Sequence, residues 1–551
     1  MARTRSLSSA PLSASLLAAA ATLFAALPAS AAVFEITPSD DLIASVKTLQ
    51  PGDELVLAGG TYNLTSKFSI TVSGTAQAPI VIRAKDGETP VITRPDANQN
   101  TINIENASHV TLRGIEVVGG SHGIRMNNAS FITIEECHVH DTGDVGISAN
   151  VPGGKYEGLK LLRNHIHDTN NTGEGMYLGC NTNGCQMYNS LIEGNYIHHT
   201  NGPTVAQGDG IEIKEGSYNN IVRDNVIHDT NYPCIITYSA VGNGGPNIIE
   251  RNLLWGCGDH AIQSAADVVI QNNIILGANA DSIRNQPHQS GSPNNIVITH
   301  NTILKGSGDA IRSDGITGSV TIANNAIYAP NGSAIRVNIN GGQVTAAGNV
   351  GVGGVQGLAS GFSATGDLAT DFVQASLGGA PPNDVFPKAG STLVAAGDKG
   401  HAVADDFNGT PREGTADVGA YKFDPAGNPG WTLAADFKEV KSGGSGGSGG
   451  AGGAGGSGSG TGGAGGSGNG GEGGSGNGSG GEGNGGSNGA GGSDPGDDGG
   501  CSCRAAGGSQ GEKGLPLVGL VGLGLMAALG ARRRVGRAGT PIADARRRHV
   551  K

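Results

Sequence analysis

The chain has 551 residues, a formal net charge of -12, 15% charged and 4% aromatic residues, and 98 glycines. An acidic chain of this kind excludes general nucleic-acid binding, which needs a basic face. So few aromatics exclude a bulky globular core in favour of a narrow one. No CxxC pair or His/Cys cluster has zinc spacing.

Residues 1–31 read as a secretory signal. Arg3 and Arg5 give a positive start, Leu16 to Leu27 a short apolar run, and Ala29-Ser30-Ala31 a small-x-small cleavage site. Residues 32–100 build the N-terminal cap and first coils. Ser39 precedes DDLIASVKTL, which predicts a capped helix with acidic residues in its first turn. Such a helix would cover an open β edge that otherwise invites aggregation.

Residues 101–350 repeat a phrase. Asn starts a short apolar run, an HDT-like turn follows, and a second strand comes next, as in NHIHDTNNTGEGMYLG from Asn164 and NVIHDTNYPCIITYS from Asn225. The anchors are Gly114, Cys137, Asn164, Asn195, Asn225, Asn252, Asn273, Asn301 and Asn325, and this spacing marks a solenoid. Each unit alternates apolar and polar residues and lacks a helical stripe. A single unit cannot bury its apolar face, so the units must stack. Asn at a fixed corner predicts a side-chain ladder between coils. His140, His167, His198 and His228 recur at one repeat position, so these rings are expected to stack, with a metal ladder as the alternative.

Residues 351–441 are read as C-terminal coils and a closing segment, in which Arg412 and Asp417 tie down the last turn. Residues 442–500 are almost only Gly, Ser, Asn, Ala and Glu, and predict a disordered linker with a mean span of roughly 40 Å. Residues 501–551 hold Cys501 and Cys503, an apolar membrane helix over 515–531, and Arg532-Arg533-Arg534, which should stay cytoplasmic. Cys180 and Cys185 bracket NTNG and could close a small loop as a disulfide. Cys137, Cys234 and Cys257 read as small buried residues.

The functional candidates come from strand alternation. With Ile124, Ile147, Met176, Ile211, Ile235, Ile262, Ile283, Ile311 and Ile335 inward, their neighbours point outward. The middle coils then place Glu174, Tyr177, Asp209, Glu212, Lys214, Tyr238, His260, Gln263 and Arg284 on neighbouring rungs of one face. Glu174, Asp209 and Glu212 offer hard oxygen ligands for Ca²⁺. Tyr177 and Gln263 are candidate substrate-binding groups. The loops GCNTNGCQMYN and GPTVAQG could wall a cleft. Charges on a solenoid face also arise as solvated cross-rung ion pairs, and that reading stands beside the functional one.

The repeated N-x-I-x-[DHG]-[TCAS] and G-I-x-[IMA] phrases resemble the right-handed parallel β-helix repeats of polysaccharide lyases. PGDELVLAGGTY and APIVIRA resemble the N-terminal part of chondroitinase-B-like and alginate-lyase-like enzymes, and GDGIEIKEGSYNNIVRDN resembles their segment around a catalytic Lys. The resemblance implies β-elimination of an acidic, uronate-containing polysaccharide. Lys214 would be the base, Arg284 would hold a substrate carboxylate, and Tyr238 or His260 would protonate the leaving oxygen. The three-part tail resembles the myxobacterial C-terminal sorting signal, implying a sorting protease and lipid at Cys501 or Cys503. The expected molecule is therefore all-β: a right-handed parallel β-helix with an N-terminal cap helix, a Gly-rich linker and a C-terminal membrane helix. It is expected to be a monomer, secreted and tethered to the cell surface or outer membrane. The alternative is a non-catalytic glycan- or matrix-binding surface protein.

Overall fold

The computed structural model describes residues 31–439. Residues 1–30 of the expected signal, the expected linker over 442–500, Cys501, Cys503 and the expected membrane helix over 515–531 therefore lie outside the described residues. Among the described residues no helix is long and apolar enough to cross a membrane.

The chain winds into a parallel β-solenoid with three faces. The first face stacks parallel strands from Val33–Ile36 to Gln343–Ala347. The second runs through Glu116–Gly119, His138–His140, His165–His167, Tyr196–Thr200, Val226–Thr230 and Leu253–Cys257. The third runs through Ile124–Asn127, Ile147–Ala149, Met176–Leu178, Ile211–Ile213, Ile235–Thr237, Ile262–Ser264 and Ile283–Asn285. Strand register on the third face follows the sequence alignment. Ile124 pairs with Ile147, Ile147 with Met176, Met176 with Ile211, and the column continues to Ile335. These side chains are fully buried.

The corner between the first and second faces carries an asparagine ladder. Asn164, Asn195, Asn225, Asn252, Asn273, Asn301, Asn325 and Asn349 are each fully buried. Asn225 Nδ2 donates to Asn252 Oδ1 at 2.9 Å and to Ile192 O at 3.1 Å, and Asn252 Oδ1 also accepts from the Asn225 backbone N–H at 3.0 Å. The same pattern recurs at the next coils, through Asn273 and Asn301. The residue before each ladder position turns left-handed, as at Arg163, Asp224, Arg251, Asn272 and His300. That conformation costs roughly 1–2 kcal/mol for a residue with a Cβ, and the ladder bonds offset it.

The N-terminal helix covers Leu42–Lys47 and buries Leu42 and Val46 in the main core. Its cap is Asp41, whose carboxylate accepts from Ala44 N, rather than Ser39, and its first turn holds no acidic residue. Asp40 instead turns back to accept from Thr37 N and its hydroxyl. The helix is therefore shorter than the sequence run suggests.

After the last coils the chain returns over the outside of the second face. Phe372, Phe386, Phe407 and Tyr421 pack with Val226, Leu253, Trp255, Ile274 and Tyr328 in a second core. Arg412 donates to the carbonyls of Asp405, Asp417, Gly419, Ala420 and Tyr421 and to Asn272 Oδ1. Asp417 accepts from the backbones of Ala395 and Phe423. Both side chains thus hold this segment together. Lys438 is fully buried and donates to Asp224 Oδ1 at 2.7 Å.

Cys180 and Cys185 form a disulfide, and Cys137 is free and buried. Cys234 and Cys257 are not merely small buried residues, because they form a second disulfide. Cys234 opens the third-face strand of one coil while Cys257 ends the second-face strand of the next. Stacking brings them together across the corner.

Replacing a mid-ladder residue, Asn252→Ala, leaves several buried backbone and amide groups unpartnered and should cost about 2–4 kcal/mol. Asn338→Ala, at an exposed position, should stay within about 0.5 kcal/mol. Urea unfolding of the two variants checks the difference.

Candidate functional site

The third face carries the site because its strands are only three residues long in the middle coils. A single outward residue sits on each strand, and further polar residues line both strand ends. Tyr177 pairs with Glu212 across one rung, and Glu212 with Ile236 across the next. Glu174 and Asp209 stand at the same place before their strands, and Lys214 just after its own.

Glu174, Asp209 and Glu212 converge. One carboxylate oxygen from each lies within 4.8 Å of the others, and all three residues are buried. Each also has a buried oxygen without a hydrogen-bond partner: Glu174 Oε1, Asp209 Oδ1 and Glu212 Oε2. A buried, unpartnered carboxylate oxygen is costly in a folded protein. Burial, then the neighbouring Glu212 charge, pushes the Glu174 carboxyl up to about 7. Burial and the charges of Glu212 and Glu174 push the Asp209 carboxyl far above the usual range. Like charges sharing a dry site raise one another in this way.

Lys214 supplies the counter-charge. Its Nζ lies 2.5 Å from Glu212 Oε1, and 4.7 and 5.0 Å from the ring centres of Tyr177 and Tyr238. Burial alone would lower its pKa, but the Glu212 carboxylate overrides burial and raises it. Tyr238 donates to Glu212 Oε1 at 3.1 Å and stacks on His288 at 5.0 Å. Burial, then Glu212, keeps its phenol protonated. Lys214 alone cannot balance three carboxylates. The donor set is hard oxygen, and such a set suits Ca²⁺, which takes six to eight oxygen ligands in all.

Not every candidate joins this cluster. Gln263 lies two rungs and Arg284 three rungs from Glu212, which at about 4.8 Å per rung is about 10 and 14 Å. Arg284 does not present a free guanidinium. It pairs with Asp314 at 2.8 Å and with Asp281 at 3.4 Å, because carboxylates occupy the columns at both ends of its strand. His260 accepts from the Asp281 backbone N–H, and burial, then Arg284, lowers its pKa to about 4.

The sequence reading missed several neighbours. Thr172 Oγ1 lies 2.5 Å from Asp144 Oδ1 and 2.7 Å from Glu174 Oε2, bridging the two carboxyl groups, and so fixes Glu174. Its position two residues before Glu174 was the available signal. Glu215 Oε1 accepts from Ser290 N, and Gln289 reaches Asn181, so the loop after Arg284 meets the Cys180–Cys185 loop beside Lys214. The 202–208 loop flanks the other end, where Ala206 and Gln207 bond to the carbonyls of Asn171 and Thr172. A groove of about 630 Å³ lies at another corner, lined by Asn231, Asn279, Lys305 and Leu377, and has no carboxylate in its wall.

These features define a parallel β-solenoid with a buried three-carboxylate centre on one face. A family model described as Pel9A-like, right handed beta helix region, matches residues 29–244. That span contains Glu174, Tyr177, Asp209, Glu212, Lys214 and Tyr238, and ends before His260, Gln263 and Arg284. The chain is 30% identical over 107 residues to pectate lyase PEL9 of Emericella nidulans, covering 17% of this chain and 26% of the relative. The match thus spans about a quarter of that relative's length. Among solved structures, pectate lyase Pel9A is similar at 15% identity, with 72% of this chain and 97% of that one covered and a TM-score of 0.45. The alginate lyase of Paenibacillus sp. str. FPU-7 is similar at 21% identity, with 57% and 99% covered and a TM-score of 0.40.

The raised carboxyls set a pH dependence. A carboxyl whose folded-state pKa is raised from 4.5 to about 7 binds more protons folded than unfolded. Its contribution to stability is present below the unfolded value and is lost as pH rises through the folded one. Chelator-treated protein should therefore melt progressively lower between about pH 5 and 8, and added Ca²⁺ should reverse the loss most strongly at the alkaline end. Melting curves with EDTA and with Ca²⁺ check this, and Asp209→Asn should flatten both responses.

Proposed function

We propose that the protein cleaves a uronate-containing polysaccharide by cation-assisted β-elimination, centred on the third-face cluster. The observation that carries this reading is the convergence of Glu174, Asp209 and Glu212, each with an unpartnered oxygen, beside a buried lysine. The family match and the pectate lyase relative support the substrate class.

A Ca²⁺ ion held by the three carboxylates would neutralise the substrate carboxylate and acidify the proton on C5. Lys214 accepts that proton, the C–H electrons form the C4–C5 double bond, and the C4–O bond breaks. Tyr238, a phenol kept protonated beside Lys214, supplies the proton for the leaving oxygen. Lys214 is not yet a base while Glu212 stabilises its ammonium. Once the Glu212 charge is engaged elsewhere, that support is lost and the lysine pKa falls. Tyr177 packs under the ammonium and confines it. His260 stands about 10 Å along the axis from Asp209, at two rungs, too far to share this proton.

A second reading is glycan binding without turnover. The tight Lys214–Glu212 pair favours it, since a locked ammonium takes no proton. We also propose that the protein is secreted and held at a cell surface by its C-terminal segment. The two disulfides support an oxidising compartment, and the sequence of residues 1–31 and 501–551 supports export and sorting.

Purified protein with Ca²⁺ should release unsaturated, ultraviolet-absorbing products from pectate, alginate or chondroitin. Lys214→Ala should lower kcat by about 10²–10⁴-fold while substrate binding persists. No unsaturated product from any acidic glycan sinks the lyase reading. Glycan binding that survives Lys214→Ala without turnover establishes the second one.

A further inference from the structure

The second face carries a different cluster that the proposed chemistry does not use. Its outward columns are largely apolar where the returning C-terminal segment covers them, as at Val226, Leu253, Ile274 and Tyr328. Where the cover ends, at Phe437, the columns change to histidine. Phe437 borders His165 and Tyr196 at 6.0 and 5.8 Å. Beyond it His138 pairs in register with His165, and His140 with His167, which in turn pairs with His198.

These rings do more than stack. His138 Nε2 and His167 Nε2 lie 2.7 Å apart. Two imidazole nitrogens at that distance must share one proton between two lone pairs, and a bound metal would replace that proton. His140, His138 and His167 each offer a ring nitrogen within 4.8 Å of the others, and all three are half-buried. Glu116 sits one rung below His138, with Oε1 3.3 Å from His140 Nε2.

The other ring nitrogens are already held. His140 Nδ1 lies 2.8 Å from Asp141 Oδ2, and His167 Nδ1 lies 2.7 Å from Asp168 Oδ2. A carboxylate on Nδ1 takes that N–H and leaves Nε2 as a lone pair, the tautomer that ligates metals. The repeated HDT turn supplies this arrangement. Asp141 and Asp168 stand at left-handed corner positions, which Asp tolerates, and from there each reaches back to the preceding ring.

We propose that His138, His140 and His167 form a binding site for a divalent transition metal such as Zn²⁺, with Glu116 at its edge beside His140. Three imidazoles with an open fourth position match the ligand preference of zinc and differ from the all-oxygen cluster on the third face. Asp141 and Asp168 are positioning residues that orient the ligands.

The test uses the full chain with Ca²⁺ in excess, so that hard-oxygen sites are filled. Zn²⁺ is titrated against a chromophoric chelator, and Co²⁺ is added separately for its visible spectrum. The expected result is one tightly held Zn²⁺ and a tetrahedral Co²⁺ spectrum. Both should be lost in His167→Gln and unchanged in Asp209→Asn. Asp168→Asn, an exposed change that leaves every ligand in place, should weaken Zn²⁺ binding by about 10–100-fold. Failure of the wild type to compete for Zn²⁺, or undiminished uptake in folded His167→Gln, would overturn the proposal and leave a proton-sharing histidine stack.

Discussion

The buried asparagine ladder is the constraint on which the rest of the structure depends. Each coil must turn sharply between its first and second strands, and it does so through a left-handed residue that is Arg, Asp, Asn or His at several corners. Such corners are unfavourable one at a time. The amide that follows satisfies both its donors and its acceptor within the stack, so every corner is fixed by the one before and the one after. Register is thereby set at one edge of each coil. A shift by one residue would turn the inward Ile column outward.

Fixed register makes the chemistry of the third face possible. Glu174 and Asp209 are separated by a full coil in sequence, yet stand on adjacent rungs. Packing against the loops removes water from them, which is why their carboxyls resist ionisation. The protein holds these groups in a costly arrangement that a divalent cation would relieve. The same stacking on the second face gathers histidines instead. There the returning C-terminal segment decides which residues are covered, and so where apolar side chains give way to imidazoles.

Much of this was legible in the sequence because a strand has a side-chain period of two and the repeat length sets which residues are neighbours. The inward column from Ile124 to Ile335, the outward neighbours Tyr177 and Glu212, and the asparagine corner all follow from those two periodicities. What was not legible depends on contacts between columns. Arg284 reads as a free cation along its own column, yet Asp281 and Asp314 stand at the two ends of the neighbouring strand positions and take it. Cys234 and Cys257 belong to different faces, so no alignment of one face pairs them. Thr172 and Glu215 act through loop geometry that repeats do not encode. Lys438 finds Asp224 from across the chain, a contact no local pattern announces.

The most direct measurement is a crystal structure of residues 32–441 grown with Ca²⁺, with the ion located by its anomalous signal. The account predicts one ion coordinated by Glu174, Asp209 and Glu212, with the Lys214 ammonium moved away from Glu212. Strong ion density elsewhere, with those three carboxylates left protonated and bonded among themselves, would contradict it.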